Sequence, residues 1–304
     1  MKRGSLSSAL TWKRALLFFS VLLCALMSAS FYMTYRFTQR YTLNTDDQRY
    51  KDAHAFFAKE GGETFLVTTR DGLALSGLYL ERKNSKGTVV LCHGFQRSKE
   101  WMVRYADFFT DYSLVFFDFR ACGESEGVAS SIGAHEYKDV VAVATYARTR
   151  SCGKKVIAFG VSMGAAAAIK AVDVQPGLFD ALIADSAYAC LYEEIVHIFS
   201  KKTGLPYYPF FPCMLQVFYA IFGKDARLMK PLDNLSSLSI PVLFIHSATD
   251  AFTLPHHSVR LYGAVSNHNK SARLWVGPPA RHTALSHRYK SAYHKKVSHF
   301  LRKI

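Results

Sequence analysis

The sequence predicts an α/β fold: a mostly parallel, eight-stranded sheet with helices on both faces. Three observations lead there. From about residue 60 onward, strand-like segments alternate with helical patterns, the order that produces parallel strands joined by crossovers. Thr88-Val89-Val90-Leu91-Cys92 is a short continuous apolar run, as expected of a strand buried on both faces. Gly160-Val161-Ser162-Met163-Gly164 then places a serine between glycines, directly after one strand and before a run of small helical residues.

The first element stands apart from that pattern. Residues 15–33 carry no charge and are long enough to cross a bilayer of about 30 Å as a helix. Lys2, Arg3, Lys13 and Arg14 precede the stretch, and Arg36 and Arg40 follow it. The denser cationic flank keeps residues 1–14 in the cytoplasm and sends the rest outside, making the chain single-pass. A cleaved secretory signal is the alternative, with residues 16–26 as its apolar centre and Ser28-Ala29-Ser30 as small residues for cleavage. Residues 34–60 read as a polar linker and a first amphipathic helix.

Beyond residue 60, segment 64–69 is rich in β-branched and aromatic types, Asp71-Gly72 makes a turn, and 73–80 alternates as its antiparallel partner. Strands at 88–92, 113–117, 155–159, 181–184, 242–245 and 273–276 follow. Helical patterns lie between them, for example 135–148 and 163–174. Residues 61–304 thus form one domain, interrupted at about 191–235 by a cap. The cap contains Pro206, Pro209 and Pro212, spaced by three, which are expected to break regular helix, together with Tyr207, Tyr208, Phe210 and Phe211. Those aromatic side chains either line an acyl pocket or cover the sheet edge.

In such sheets chemistry collects at the carboxyl ends of the strands. Ser162 sits at one such end. A serine on a sharp strand-to-helix turn needs neighbours without side chains, because the backbone there is crowded, and Gly160 and Gly164 supply the room. The helix that follows favours the negative charge that develops during acyl transfer. After the strand at 242–245 comes Asp250, and after the strand ending near Val276 comes His282, the chain order of a serine–acid–histidine triad. His282 takes the Ser162 proton and later gives it to the leaving group, while Asp250 fixes the imidazole tautomer. His287 is the competing base and Asp185 the competing acid. The backbone N–H groups of Phe95, after the strand at 88–92, and of Met163 are the expected oxyanion donors. His93 reads as a structural histidine.

In that order the chain resembles the α/β-hydrolase superfamily. The matching pieces are Asp71-Gly72, Leu91-Cys92-His93-Gly94, the run from Asp118 through Gly127, Glu136-Tyr137-Lys138-Asp139, the pentapeptide around Ser162, the segment from Pro241 to Asp250 with Leu254-Pro255, and His282. They span roughly residues 64–304. Within the superfamily the chain resembles membrane-anchored ABHD-type serine hydrolases and their bacterial counterparts. That resemblance implies hydrolysis of ester, thioester or lipid substrates without a cofactor. Two positions depart from the pattern: Cys122 stands where a small residue or histidine is common, and Arg281 precedes His282 where glycine is usual.

Composition narrows the partners. Half of the 304 residues are apolar, enough for a sizeable core. The net charge of +15 accompanies no nucleic-acid motif, so it reads as a solubilising surface or as attraction to an anionic membrane, and no nucleic-acid partner is expected. The six cysteines, five of them outside the apolar segment, have no metal-like spacing and read mostly as free thiols. His256-His257 lacks a suitably spaced carboxylate, so no metal is expected. The expected substrate is a small molecule or a lipid acyl compound. A serine peptidase or acyltransferase uses the same first half-reaction and stays open, as does a non-catalytic scaffold on this fold.

Overall fold

The computed structural model describes residues 4–204 and 206–304. Lys2 and Arg3 of the basic flank, and Leu205 of the cap, lie outside the described residues. Eight strands form one sheet: β1 (Glu63–Thr68), β2 (Ala74–Leu80), β3 (Gly87–Cys92), β4 (Ser113–Phe117), β5 (Lys155–Val161), β6 (Ala181–Asp185), β7 (Val242–Ser247) and β8 (Ala272–Gly277). Their order across the sheet is β1-β2-β4-β3-β5-β6-β7-β8. β2 pairs antiparallel with both β1 and β4, and every other pairing is parallel.

The helices are α1 (Gly4–Thr38), α2 (Gln48–Lys59), α3 (Tyr137–Arg150), α4 (Met163–Val174), α5 (Leu191–Thr203), α6 (Phe210–Phe222), α7 (His256–Ser266), α8 (Leu285–Arg288) and α9 (Lys290–Leu301). Successive residues of a strand face opposite sides, and the core divides accordingly. Val90 and Cys92 of β3 pack with Val140 and Val143 of α3, Ile169 of α4 and Leu261 of α7. Val89 and Leu91 pack on the other face with Phe57 of α2, Tyr105 and Tyr293. Tyr105 belongs to a 3₁₀ helix, Lys99–Phe108, that no sequence periodicity announced.

A third apolar cluster lies outside the sheet, under the cap. It joins Leu191, Ile195 and Phe199 of α5 to Phe211, Met214 and Phe218 of α6. Here the structure corrects the reading of one proline: Pro206 and Pro209 lie in the break between α5 and α6, as expected, but Pro212 does not. Pro212 is the third residue of α6, within the first turn, where the missing N–H has no intrahelical role. The prolines therefore mark where α6 starts.

The expected linker also differs. The apolar helix does not end at 33 but runs to Thr38, and Thr11–Thr38 is long and apolar enough to cross a membrane, with a mean hydropathy of 2.1 over its most apolar 18 residues. From Thr11 to Ala25 the helix is exposed all round. Beyond that a stripe closes: Ser30, Thr34 and Thr38, four residues apart, are buried. Phe37 and Met33 pack into the cap cluster beside them. The chain is then fastened to the domain. Tyr41 N donates to Ala121 O, Gly123 N to Tyr41 O and Ser130 N to Thr38 O, at 2.8, 3.1 and 2.7 Å. Arg40 donates to the carbonyls of Gly127 and Gly123. Cys122, one of the unusual positions, is buried at this junction, and all six cysteines are free thiols.

Candidate active site

The register of the sheet assembles the site. Cys92 at the end of β3 lies opposite Gly160 near the end of β5, so the loops that leave the two strands are neighbours. Ser162 begins the turn after β5 with φ 54° and ψ −119°, a backbone conformation that non-glycine residues rarely adopt. Its N–H donates to Asp185 O at 2.8 Å, and its carbonyl accepts from Ala165 N and Ala166 N. The flanking glycines are required by contact. A side chain at Gly164 would run into the carbonyl oxygens of Cys92 and His93, and one at Gly160 into the backbone of Ala165. These overlaps involve backbone on both sides, which cannot rotate away.

His282 and Asp250 arrive from the adjacent strands β8 and β7. Ser247 at the end of β7 fastens the His282 loop: its hydroxyl donates to Ala280 O and accepts from Ala280 N, both at 2.8 Å. His282 Nε2 lies 3.0 Å from Ser162 Oγ, and Nδ1 lies 2.6 Å from Asp250 Oδ2. Asp250 is held from its other side too. Oδ1 accepts from Phe252 N at 2.9 Å and Thr253 N at 3.1 Å. Burial works to raise the Asp250 pKa, but hydrogen bonds from His246 and His282 hold it well below the ordinary carboxylate range.

The sequence offered no role for His246. Its Nε2–H donates to Thr253 O at 2.8 Å and lies 3.4 Å from Asp250 Oδ2, while Nδ1 accepts from Ser258 Oγ at 2.7 Å. The ring thus pins the turn that presents the carboxylate. Four-residue spacing from Asp250 in a loop was the only signal for it.

The competing residues sit elsewhere. Asp185 is buried beneath Ser162, where it accepts from Tyr293 Oη and Ser186 Oγ, both at 2.8 Å, and burial raises its pKa. His287 is exposed on α8. His93 is buried: Nε2 accepts from Phe119 N at 3.0 Å and Nδ1–H donates to Gly94 O at 2.8 Å, and burial lowers its pKa to about 4. It therefore shapes the loop as an uncharged ring. That loop crosses close over the serine, since a side-chain carbon built on Gly94 would lie 3.6 Å from Ser162 Cβ. Phe95 follows Gly94 on this loop, and Met163 is the first residue of α4, where N–H groups have no intrahelical acceptor. The Phe95 ring stacks on Phe37 of α1, with centroids 5.8 Å apart.

Two further features lie near the cap. Glu193 of α5 comes beside His256 and His257, a carboxylate that spacing along the chain did not reveal. Arg260 Nη1 pairs with that carboxylate, and Ala189 N donates to His257 Nδ1, so both groups are engaged. Glu194 is buried next to them, accepts from Thr253 Oγ1 at 2.6 Å, and burial pushes its pKa up to about 8. A cleft of about 830 Å³ between β1 and α3 contains none of the five candidate residues.

A strained serine at the end of a central strand, with histidine and carboxylate supplied by neighbouring strands of an eight-stranded sheet, defines a serine hydrolase of the α/β-hydrolase fold. The profile of the prolyl oligopeptidase family matches residues 125–304, more than half of the chain, and the protein belongs to that family. It is 25% identical over 255 residues to the uncharacterized protein YqkD of Bacillus subtilis (strain 168), covering 82% of each chain. Among solved structures it resembles an esterase of Pyrococcus furiosus, with a TM-score of 0.71, 22% identity, and coverage of 88% of this chain and 98% of that one. It also resembles the acylaminoacyl peptidase of Pyrococcus horikoshii, with a TM-score of 0.59 and 17% identity over 79% of this chain and 40% of that one. At these identities the structural likeness speaks for the fold alone.

Proposed function

We propose that the protein hydrolyses carboxylic esters or thioesters through an acyl-enzyme formed on Ser162, with His282 as base and acid, Asp250 as its partner, and the N–H groups of Phe95 and Met163 as oxyanion donors. The observation that carries this reading is the hydrogen-bonded line Ser162–His282–Asp250 on a strained turn. His282 Nε2 takes the hydroxyl proton as Oγ bonds to the acyl carbon, then donates it to the leaving oxygen or sulfur as that bond breaks. Water attacks in the second half by the same route, releasing the acid and the free serine. Each oxyanion donor is worth roughly 3 kcal/mol in comparable enzymes.

The family match and the peptidase neighbour favour one second reading, peptide or acyl-amino-acid hydrolysis by the same residues. A p-nitrophenyl ester series from short to long acyl chains, beside acyl-aminoacyl p-nitroanilides, separates the two. Ester turnover that vanishes in Ser162→Ala supports the first reading. Turnover of anilides alone supports the second. Failure of a fluorophosphonate to label Ser162 in folded protein would overturn both.

The apolar part of α1 supports a single-pass anchor. At 1.5 Å per residue, the uncharged stretch of the helix from Ala15 to Met33 is about 28 Å long, close to the thickness of a hydrocarbon core. Lys13 and Arg14 at its start favour a catalytic domain outside the cytoplasm. Because the last two turns of α1 pack on the cap, signal cleavage near Ser30 would cut into a docked helix. Protease shaving of intact cells tests the topology: digestion before lysis is expected, and protection until lysis would reverse the orientation.

A further inference from the structure

The leaving group must lie where His282 can protonate it, so the surface flanking His282 reads out that part of the substrate. A cleft of about 400 Å³ opens there, within the range of small-molecule sites. Lys201 of α5, Arg281 and Arg288 line it together with Phe252 and His282, and no carboxylate lines it. Among the described residues these three cations have no acidic partner. Lys201 Nζ donates to Ala251 O at 2.7 Å, and the Arg288 guanidinium lies over the Tyr289 ring. Lys202 adds a fourth positive charge at the rim, with Nζ 5.9 Å from the Phe252 ring centroid and 4.9 Å from that of Phe37. Phe252 itself packs on His282, centroids 4.9 Å apart. Some surface cations elsewhere do have acidic partners, among them Arg150 with Glu63, Arg148 with Asp180 and Lys290 with Asp107. Three unpaired cations around one catalytic histidine form a concave field of a single sign, which concentrates anions.

We propose that this cleft is a subsite for an anionic leaving group, so that the preferred substrate is an acyl ester or thioester whose alcohol or thiol portion carries a carboxylate or phosphate. The inference rests on the hydrolase reading above. It assigns Arg281, at the position where the superfamily pattern usually has glycine, to substrate recognition.

The test uses two thioesters with the same butyryl group, one of 3-mercaptopropionate and one of its uncharged amide, with thiol release as the readout. At low ionic strength the full-length enzyme is expected to favour the anionic thioester by about tenfold in kcat/KM, the size of two modest ion pairs. Added salt should shrink the ratio. In Arg281→Gln/Arg288→Gln the ratio should fall towards one, and in Arg281→Glu/Arg288→Glu it should invert. Because the ratio is internal to each enzyme, partial loss of folded protein does not change it. A wild-type ratio near one, or a ratio untouched by the substitutions, overturns the subsite while leaving the hydrolase intact. No turnover of either thioester, with no fluorophosphonate labelling, overturns the hydrolase reading and the subsite with it. Competition by glycerol 3-phosphate identifies a soluble anion. Inhibition by vesicles containing phosphatidylglycerol, but not by phosphatidylcholine alone, identifies a lipid headgroup. Competition by neither overturns the proposal.

Discussion

Replacing Asp250 by asparagine should disable the site without disturbing its shape. Oδ1 of Asp250 accepts two backbone N–H groups, from Phe252 and Thr253. In the variant the amide oxygen has to stay there, because the amide nitrogen cannot accept those bonds. The nitrogen therefore faces His282 Nδ1, 2.6 Å away in the native carboxylate. Two donors cannot meet, so His282 keeps Nδ1 bare and carries its proton on Nε2, the atom that has to take the proton from Ser162 Oγ at 3.0 Å. The ring is then in the wrong tautomer, and it also loses the charge that stabilises the imidazolium. The same exchange in a serine protease triad lowers kcat about 10⁴-fold, roughly 5.5 kcal/mol of barrier. Steady-state hydrolysis of p-nitrophenyl acetate, with fluorophosphonate labelling rates beside it, measures the loss, and circular dichroism checks the fold. A loss below tenfold in folded Asp250→Asn would refute the assignment. A larger loss in Asp185→Asn than in Asp250→Asn would move the acid to Asp185.

Glu194 carries a pH dependence whose sign is set by its raised pKa. The unfolded chain loses that proton near about 4.3, whereas the folded chain keeps it up to about 8, so this contribution is complete below about pH 4.3 and declines as pH rises to about 8. The decline approaches ~1.4 kcal/mol per pH unit. Urea melts of wild type and Glu194→Gln at pH 5 and pH 8 should show the variant gaining on wild type at the higher pH, and an equal gap at both would refute this. Gly164→Ala should destabilise by about 3 kcal/mol, because its Cβ meets the fixed carbonyls of Cys92 and His93. Calorimetry should then read a Tm lower by roughly 6–12 °C, and an unchanged Tm would show that the elbow is not tightly closed. Phe37→Ala, which removes the ring stacked on Phe95, should cost about 2 kcal/mol of stability and lower ester turnover. Unchanged turnover would separate α1 from the oxyanion loop.

What the sequence revealed depended on how local each signal is. The turn at Ser162 is encoded within five residues, and the strands of the sheet are short apolar runs bounded by polar breaks, so both were legible. Asp250 and His282 were legible because each follows a recognisable strand end in a fixed chain order. The end of α1 was not. Its Ser30, Thr34 and Thr38 are small and mildly polar, and only side chains distant along the chain, from Ile132, α5 and α6, make them a packing stripe. The pairing of Glu193 with His256 and Arg260 was hidden for the same reason. Pro212 misled because the rule against proline in helices lapses in the first turn, and the sequence alone did not show where α6 begins.

The junction after α1 has a mechanical consequence. A slack tether lets a domain swing and turn beneath its point of attachment. Here the backbone is clamped at Thr38, Tyr41 and Arg40 within three residues of the helix end, so no swivel separates the helix from the domain. Wherever the upper part of α1 is held, the height and bearing of Ser162 are set by the length of that helix, and reactants must come to the serine along one approach instead of being sought by a roaming domain.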